Sequence, residues 1–205
     1  MARRKRRRRL FSRRVVLLVT LAAGAALWIR YHDLIANLWM PENPPGIVLH
    51  HSASPMRVGN EIVDAAALDR MHAHRGFITW YRGKVYHIGY HFVILPDGTV
   101  QQGRPVGCRG AHTHGSPTYN TYIGVCVVGN FSSRMNRNGS QGPIAPTQAQ
   151  RAALVRLCGR LMDTYGIAEA NVKRHSDLNQ TECPGDRFPY RWLIGRLGRR
   201  EQGSR

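Results

Sequence analysis

Residues 123–128, which read I-G-V-C-V-V, form an almost unbroken apolar run. This composition predicts a strand buried on both faces, because a strand with one face in water alternates apolar and polar residues. Residues 47–49 (I-V-L) are a second run of this kind, and residues 88–95 read as a further central strand. Residues 96–99 (P-D-G-T) predict a hairpin turn, after which residues 100–103 pair back. These runs together predict one central sheet.

Two stretches have the spacing of amphipathic helices. Asn60 is the predicted N-cap of the first and Gly76 its stop. The second begins at a capping-box signature, Thr147-x-x-Gln150, and ends at Gly166. A short helix is expected to close the domain. The order of elements predicts an α/β fold: a single domain with a central mixed β-sheet flanked by helices.

The N-terminal part is organised by charge and hydropathy. Residues 1–14 contain nine Lys or Arg and no acid, and residues 15–29 are uncharged and apolar. Because such a basic flank stays on the cytoplasmic side, the rest of the chain is expected outside. The sequence therefore predicts an N-terminal membrane helix before the domain. A cleaved signal peptide is the alternative, since the small residues at 23–26 could form a cleavage site.

These features divide the chain of 205 residues into five parts. They are a basic cytoplasmic flank (1–14), a transmembrane anchor or signal peptide with a juxtamembrane segment (15–39), a Pro-rich linker (40–45), a folded domain (46–197) and a charged tail (198–205).

The net charge of the chain is +18, and the residues after the basic flank still carry +9. An excess of this size suits an anionic partner, such as nucleic acid, anionic lipid or an anionic cell-wall polymer. No nucleic acid is expected as a partner, because an apolar run directly after the arginines is typical of a topogenic flank and not of a nucleic-acid-binding arm.

The four cysteines are Cys108, Cys126, Cys158 and Cys183, and no two of them form a C-x-x-C pair. A zinc ribbon or a thioredoxin-like motif is therefore not expected. One disulfide is compatible with an oxidising compartment. Cys126 and Cys158 lie in apolar patterns and are expected in the core.

Residues 174–185, R-H-S-D-L-N-Q-T-E-C-P-G, contain the candidate metal ligands His175 and Cys183. A neutral imidazole and a thiolate are good zinc ligands, and Pro-Gly after the cysteine predicts a rigid corner. A third ligand could come from the pair His50-His51, at the end of a predicted core strand. The alternatives are a surface loop with a buried cysteine and a histidine that caps its strand.

Seven ordered motifs carry a resemblance to one family. They are L-H-H-S-A (49–53), H-A-H-R-G-F (72–77), I-G-Y-H-F-V-I with D-G-T-V (88–100), G-R-P (103–105), G-A-H-T-H-G (110–115), Y-I-G-V-C-V-V-G (122–129) and the stretch 174–185. The chain resembles the zinc-dependent N-acetylmuramoyl-L-alanine amidases of the type 2 amidase and peptidoglycan recognition protein superfamily, including the phage amidase-type lysozymes.

The resemblance implies a Zn²⁺ cofactor and a set of roles for individual residues. His50, His175 and Cys183 would bind the metal. Tyr90 would be catalytic, as would Thr181, at a position that holds lysine in the phage enzymes. We assign His112 and His51 to substrate binding. Asp177 either orients a ligand histidine or caps its loop.

The implied reaction is hydrolysis of the amide between N-acetylmuramic acid and L-alanine in peptidoglycan, by a zinc-bound water. A non-catalytic peptidoglycan-binding recognition module is the alternative. The presence of Cys183 favours the enzyme, because non-catalytic members are expected to lose a metal ligand. The expected location is the bacterial inner membrane with the domain in the periplasm; secretion after signal cleavage is the alternative.

Overall fold

The computed structural model describes residues 13–38 and 40–203. Residues 1–12 of the predicted basic flank and the last two residues of the predicted tail lie outside the described residues. The regular elements, in chain order, are α1 (Arg13–Leu38), β1 (Ile47–His51), β2 (Arg57–Val58), β3 (Glu61–Ile62), α2 (Ala65–His74), β4 (Thr79–Tyr81), β5 (Lys84–Tyr86), β6 (Phe92–Ile94), β7 (Val100–Gln102), β8 (Ile123–Val127), α3 (Gln148–Tyr165), β9 (Val172–Arg174) and α4 (Tyr190–Gly203).

The main sheet has five strands in the order β7-β6-β8-β1-β9. β8 pairs in parallel with β1 and β6, β9 is parallel to β1, and β7 is antiparallel to β6. The sheet is therefore mixed, as predicted. Every residue of β1 and β8 is buried, which confirms the burial of both strands on two faces. Two short antiparallel ribbons, β2–β3 and β4–β5, stand beside this sheet.

The second predicted helix, α3, has the predicted ends. Thr147 and Gln150 form a reciprocal capping box, and Gly166 ends the helix with φ 65°. That left-handed conformation favours glycine, because a side chain would clash with the backbone. Gln150 is also buried, and its amide donates to the carbonyls of Ile94 and Val128. The start of α3 is thus hydrogen-bonded to the end of β6 and to the residue that follows β8.

The prediction of the first amphipathic helix is wrong at its start. α2 begins at Ala65, with Asp64 as its N-cap, because the Asp64 carboxylate accepts from the amide of Ala67. Asn60 instead lies in the turn between β2 and β3. The residues expected to form the first helical turn, Glu61 and Ile62, pair with β2.

The predicted central strand 88–95 is regular only as β6. The amides of His87 and Ile88 donate to the Asp69 carboxylate, and the amide of Gly89 donates to His72 Nδ1. Side chains of α2 thus accept the backbone hydrogen bonds that a neighbouring strand would otherwise have accepted. The segment just before β6 is consequently fixed against α2, and it carries Tyr90 with it.

The predicted transmembrane helix is not supported. α1 forms over this stretch, but no helix in the described part of the chain is long and apolar enough to cross a membrane. The uncharged run between Arg14 and Arg30 has 15 residues. A helix of that length spans about 22 Å, against a hydrocarbon core of roughly 30 Å.

The core lies between the sheet and its helices. It includes Ile47 and Leu49 of β1, Val125 of β8, Leu154 of α3 and Leu193 of α4, all with no exposed surface. The four cysteines are free thiols, so the structure contains no disulfide between them. α4 continues past residue 197, where the predicted domain ended, to Gly203.

Candidate metal centre and cleft

The strand order brings His50 and His175 to the same edge of the sheet. His50 lies near the carboxyl end of β1, and His175 directly follows β9, which is parallel to β1. Side chains at the carboxyl ends of neighbouring parallel strands converge, which is why such edges commonly form binding sites. His175 thus comes within reach of His50 through strand pairing, with ring centroids 4.6 Å apart.

Cys183 reaches the same point from a closed loop. The amide of Ser176 donates to the Cys183 carbonyl at 2.8 Å, so the loop returns on itself beside His175. The Cys183 Sγ lies 3.6 Å from His50 Nδ1. One ligand atom each from His50, His175 and Cys183 lies within 4.8 Å of the others. The three candidate ligands named from the sequence are therefore one cluster.

The cluster fits a zinc ion by the chemistry of its donors. Two imidazoles and one thiolate are a known zinc ligand set, and three protein ligands leave a tetrahedral position free for substrate or water. In addition, His175 Nε2 is buried without a hydrogen-bond partner among the described residues. Buried polar atoms rarely stay unpaired, so this atom marks a place where a further group is needed.

His112 fixes the tautomer of His50. The carbonyl of Tyr122 can only accept, so His112 Nε2, 3.2 Å away, carries the hydrogen. His112 Nδ1 is then an acceptor, and His50 Nε2 at 3.1 Å donates to it. The lone pair of His50 consequently lies on Nδ1, the atom that faces Cys183. Both ring nitrogens of His112 are engaged, although the residue also lines the cleft.

Burial keeps this histidine pair neutral. The pKa of His50 is well below its usual value because of desolvation first, and then because His112 and His175 are close. The pKa of His112 is lowered in the same way by desolvation and by His91. Burial raises the pKa of the Cys183 thiol to about 12. A cation at the cluster would oppose that rise, because it stabilises the thiolate.

Tyr90 stands over the cluster, with its ring centroid 5.1 Å from that of His50. Its pKa is raised well above the usual value, mainly by burial and then by Cys126 and Cys183. The Cys126 thiol lies near its hydroxyl. Cys126 is fully buried in the core, as expected. It is paired with His50 in the parallel register, which places the two residues side by side on neighbouring strands.

Thr181 and Asp177 shape the loop that carries Cys183. The Thr181 hydroxyl accepts from the Cys183 amide at 3.2 Å, and its residue lines the cleft. Asp177 accepts from the Arg174 amide at 2.8 Å and from the Arg174 guanidinium at 2.6 Å. Burial raises the pKa of Asp177, but the hydrogen bonds from Arg174 outweigh it and the pKa is lowered. This arrangement matches the loop-capping alternative.

His51 points away from His50 and is fixed by backbone contacts. Its Nδ1 accepts from the Phe131 amide at 3.1 Å, and its carbonyl lies 3.9 Å from the Cys183 sulfur. Desolvation lowers its pKa to about 4, against a smaller opposing effect of Glu182. His51 also lines the cleft, at a wall formed by the segment after β8.

The cluster opens into a cleft of about 420 Å³. The lining residues that were not named from the sequence as site residues include Arg75 and Phe77 after α2, and Arg134 and Met135 in the loop after β8. The Arg75 guanidinium lies 5.0 Å from the Phe77 ring centroid, and Arg134 is paired with Glu182 at 2.6 Å. They lie in loops without a distinctive motif, so only the H-A-H-R-G-F match placed two of them near the site.

Comparison with known proteins agrees with this geometry. Residues 40–186 match the family model described as N-acetylmuramoyl-L-alanine amidase (Amidase_2). The chain is 38% identical to the endolysin of Klebsiella phage KP32 over 98 residues, 47% of this chain and 58% of that protein. It is 36% identical to peptidoglycan recognition protein 1 of Bos taurus over 100 residues, 48% of this chain and 47% of that protein. These matches therefore span only about half the length of the curated relatives.

Among solved structures, the N-acetylmuramoyl-L-alanine amidase LysC from Clostridium intestinale URNW has a TM-score of 0.57 and 34% identity. That match covers 76% of this chain and 86% of LysC. The matched family segment contains the whole cluster and the cleft around it. The chain belongs to the N-acetylmuramoyl-L-alanine amidase family.

Proposed function

We propose that this protein is a zinc-dependent peptidoglycan amidase that hydrolyses the amide between N-acetylmuramic acid and L-alanine. The observation that carries the proposal is the convergence of His50, His175 and Cys183 within 4.8 Å at the base of an open cleft. The family match supports the reaction class. Zinc, when bound, would polarise the scissile carbonyl and activate water.

The first contribution of the protein is to hold its ligands in the form that binds a cation. His112 takes the hydrogen bond of His50 Nε2, which leaves His50 Nδ1 free as a donor atom. Such partners of metal-bound histidines fix the ring orientation and the tautomer. His112 therefore acts through His50 more than by contact with substrate.

The second contribution is a hydrogen-bond donor above the cluster. Because burial raises the pKa of Tyr90, its hydroxyl keeps its proton at neutral pH. A protonated hydroxyl can donate to the oxygen on which negative charge develops when the amide carbonyl is attacked. The buried Cys126 thiol lies near this hydroxyl.

Thr181 contributes to the geometry of Cys183. Its hydroxyl accepts from the Cys183 amide, so it steadies the loop on which the sulfur lies. A threonine hydroxyl at this position has no charge to offer to the reacting carbonyl. Tyr90 is therefore assigned the larger share of charge stabilisation, with Thr181 assisting.

The proposed reaction requires access to peptidoglycan. We propose that it acts outside the cytoplasm, in the periplasm of its bacterium. Fractionation of cells that express the full chain tests this, and recovery of the protein in the cytoplasmic fraction alone would contradict it.

Incubation of the protein with purified peptidoglycan tests the reaction itself. Mass spectrometry should find stem peptides that begin with L-alanine and glycan strands without peptide. A chelator should stop the release, and His50→Ala and Cys183→Ala should abolish it together with the bound metal. A recognition module without catalysis, the role suggested by relatives named peptidoglycan recognition protein, would bind the polymer and release nothing.

A further inference from the structure

One surface of α4, with the adjoining edge of α3, consists largely of arginine. Arg191, Arg196 and Arg199 of α4 are exposed, as is Arg151 of α3. Trp192 lies among them and is 38% exposed. These five residues are called the basic face below.

Packing fixes the orientation of the basic face. Leu193 and Leu197 of α4 have at most 1% of their surface exposed, so they lock one side of the helix into the core. The opposite side must then face the solvent, because a helix with one apolar stripe cannot rotate without exposing it. The packing of the helix, and not the choice of side-chain rotamer, directs these arginines towards the solvent.

Trp192 joins the arginines of the two helices. The guanidinium carbon of Arg151 lies 5.8 Å from a ring centroid of Trp192, and that of Arg196 lies 5.9 Å away. Guanidinium groups against an indole ring keep their N–H donors available at the edge while their side chains lose freedom. The face is thus partly ordered before any ligand arrives.

The charge of this surface is mainly positive, although the Glu169 carboxylate lies against Gly198 of α4 and Glu201 belongs to the same helix. The exposed part of α3 adds Arg156 and Arg160 and a single acid, Asp163. The basic face also lies apart from the candidate metal centre, since no residue that lines the cleft comes from α3 or α4. Residues of the basic face therefore do not contact a substrate held in the cleft.

We propose that the basic face is a second, non-catalytic attachment site for peptidoglycan, which binds carboxylates of stem peptides that are not being cut. The proposal rests on the proposed function, because the polymer that enters the cleft repeats the same carboxylates along its length. Arginine pairs with carboxylate through two parallel hydrogen bonds. The exposed indole adds a surface on which a sugar ring can lie.

Two attachment points change how the enzyme works on an insoluble polymer. Once the basic face is bound, the next amide is presented to the cleft at a high effective concentration. Soluble fragments with one stem peptide cannot occupy both sites. The structure therefore assigns the basic face an effect on insoluble polymer alone.

The test compares two triple variants of the full chain with equal net charge. Arg191→Gln, Arg196→Gln and Arg199→Gln remove charge from the basic face. Arg57→Gln, Arg70→Gln and Arg82→Gln remove the same charge from exposed positions that do not line the cleft. Co-sedimentation with purified peptidoglycan sacculi is measured in a His50→Ala background, so that the polymer is not cut. Thermal unfolding of each variant confirms that it is folded.

We expect the basic-face variant to bind sacculi about tenfold more weakly and the control to bind as the parent does. Raising the salt concentration should weaken the parent more steeply than the basic-face variant. With His50 intact, both variants should release peptide from a soluble muropeptide at the parental rate. Loss of that release in the parent itself would refute the proposed function, not the attachment site.

Equal losses in the two variants would show that only net charge matters, and would overturn the proposal. So would unchanged binding of the basic-face variant. Vesicles of phosphatidylglycerol and a short DNA duplex are the competing anions. If the parent binds either of them more tightly than sacculi, through the basic face, the polymer is not the occupant.

Discussion

The hydrogen bond between His50 and His112 decides which nitrogen of His50 can bind a cation. Since Tyr122 offers only a carbonyl oxygen, His112 has one tautomer available. The tautomer of His50 follows from that of His112. The spacing of the two histidines in the sequence, 50 and 112, gives no sign of this contact. It arises because the loop with His112 lies along β8, against Gly124.

His112→Ala should weaken zinc binding about 10- to 100-fold, because His50 loses the partner that orients it. His112→Asn should reduce the zinc affinity less, since the asparagine side-chain oxygen can still accept a hydrogen bond from His50. Competition with a chromophoric chelator measures both affinities without reference to catalysis. Parental affinity in the alanine variant would show that His112 does not orient His50.

Tyr90→Phe removes the hydroxyl but keeps the ring that packs on His50. We expect a fall in kcat of about 10²- to 10³-fold, because a donor to the developing charge is lost in a buried site. Zinc content and thermal stability should stay near the parental values. A parental kcat would assign the donor role to another group, whereas loss of zinc would show that the ring was disturbed.

At the scale of elements, the start of α3 joins the helix to the sheet. Thr147 and Gln150 cap the helix, and the buried Gln150 amide also pairs with carbonyls of Ile94 and Val128. The sequence motif predicted the cap. It could not predict the sheet contacts, because these depend on where α3 lies relative to β6 and β8.

Thr147→Ala should therefore lower the free energy of unfolding by about 1 kcal/mol, because the N-cap and the hydrogen bond from Thr147 to the Pro96 carbonyl are lost. Gln150→Ala should cost more, about 2 kcal/mol, since two buried carbonyls also lose their donor. Denaturant unfolding measures both, with the exposed Thr164→Ala on the same helix as the control, expected within about 0.5 kcal/mol of the parent. Equal costs for Thr147→Ala and Gln150→Ala would contradict a role of Gln150 beyond the cap.

At the scale of the whole molecule, buried neutral histidines link stability to pH. Burial is the first cause that lowers the pKa of His72 and of His91 to about 4 in each case. The pKa of each of these histidines in the unfolded chain is near 6.5, so the unfolded chain takes up protons before the folded protein does as the pH falls. The stability they contribute is complete above about pH 6.5 and is lost progressively as the pH falls towards 4.

Between pH 6 and pH 5, each such histidine should lower the free energy of unfolding by about 1 kcal/mol. Denaturant unfolding in the presence of a chelator measures this slope without a contribution from metal. His91→Gln should have a shallower slope than the parent over the same range. A flat profile would show that these rings are already protonated or solvated in the folded protein.

Predictions from the sequence were confirmed where a short sequence pattern is compatible with only one local structure. Burial of β8 and the ends of α3 both follow from short-range chemistry. They failed where a competing partner lay elsewhere in the chain. Asn60 resembles an N-cap, but strand pairing of Glu61 and Ile62 moved the helix start to Asp64. The anchor predicted from the basic flank is not supported within the described residues.

The sequence by itself predicted the fold class, because apolar runs and turn residues are local properties. It named His50, His175 and Cys183 as candidate metal ligands, and Tyr90 through the family resemblance of its ordered motifs. Only the tertiary structure decided how these residues act on one another. The pairing of β1 with β8 and β9 set His50 between Cys126 of β8 and His175, which follows β9. The packing of α3 against α4 gathered arginines far apart in the chain around Trp192. Contacts of that kind depend on long-range packing, which no single stretch of sequence encodes.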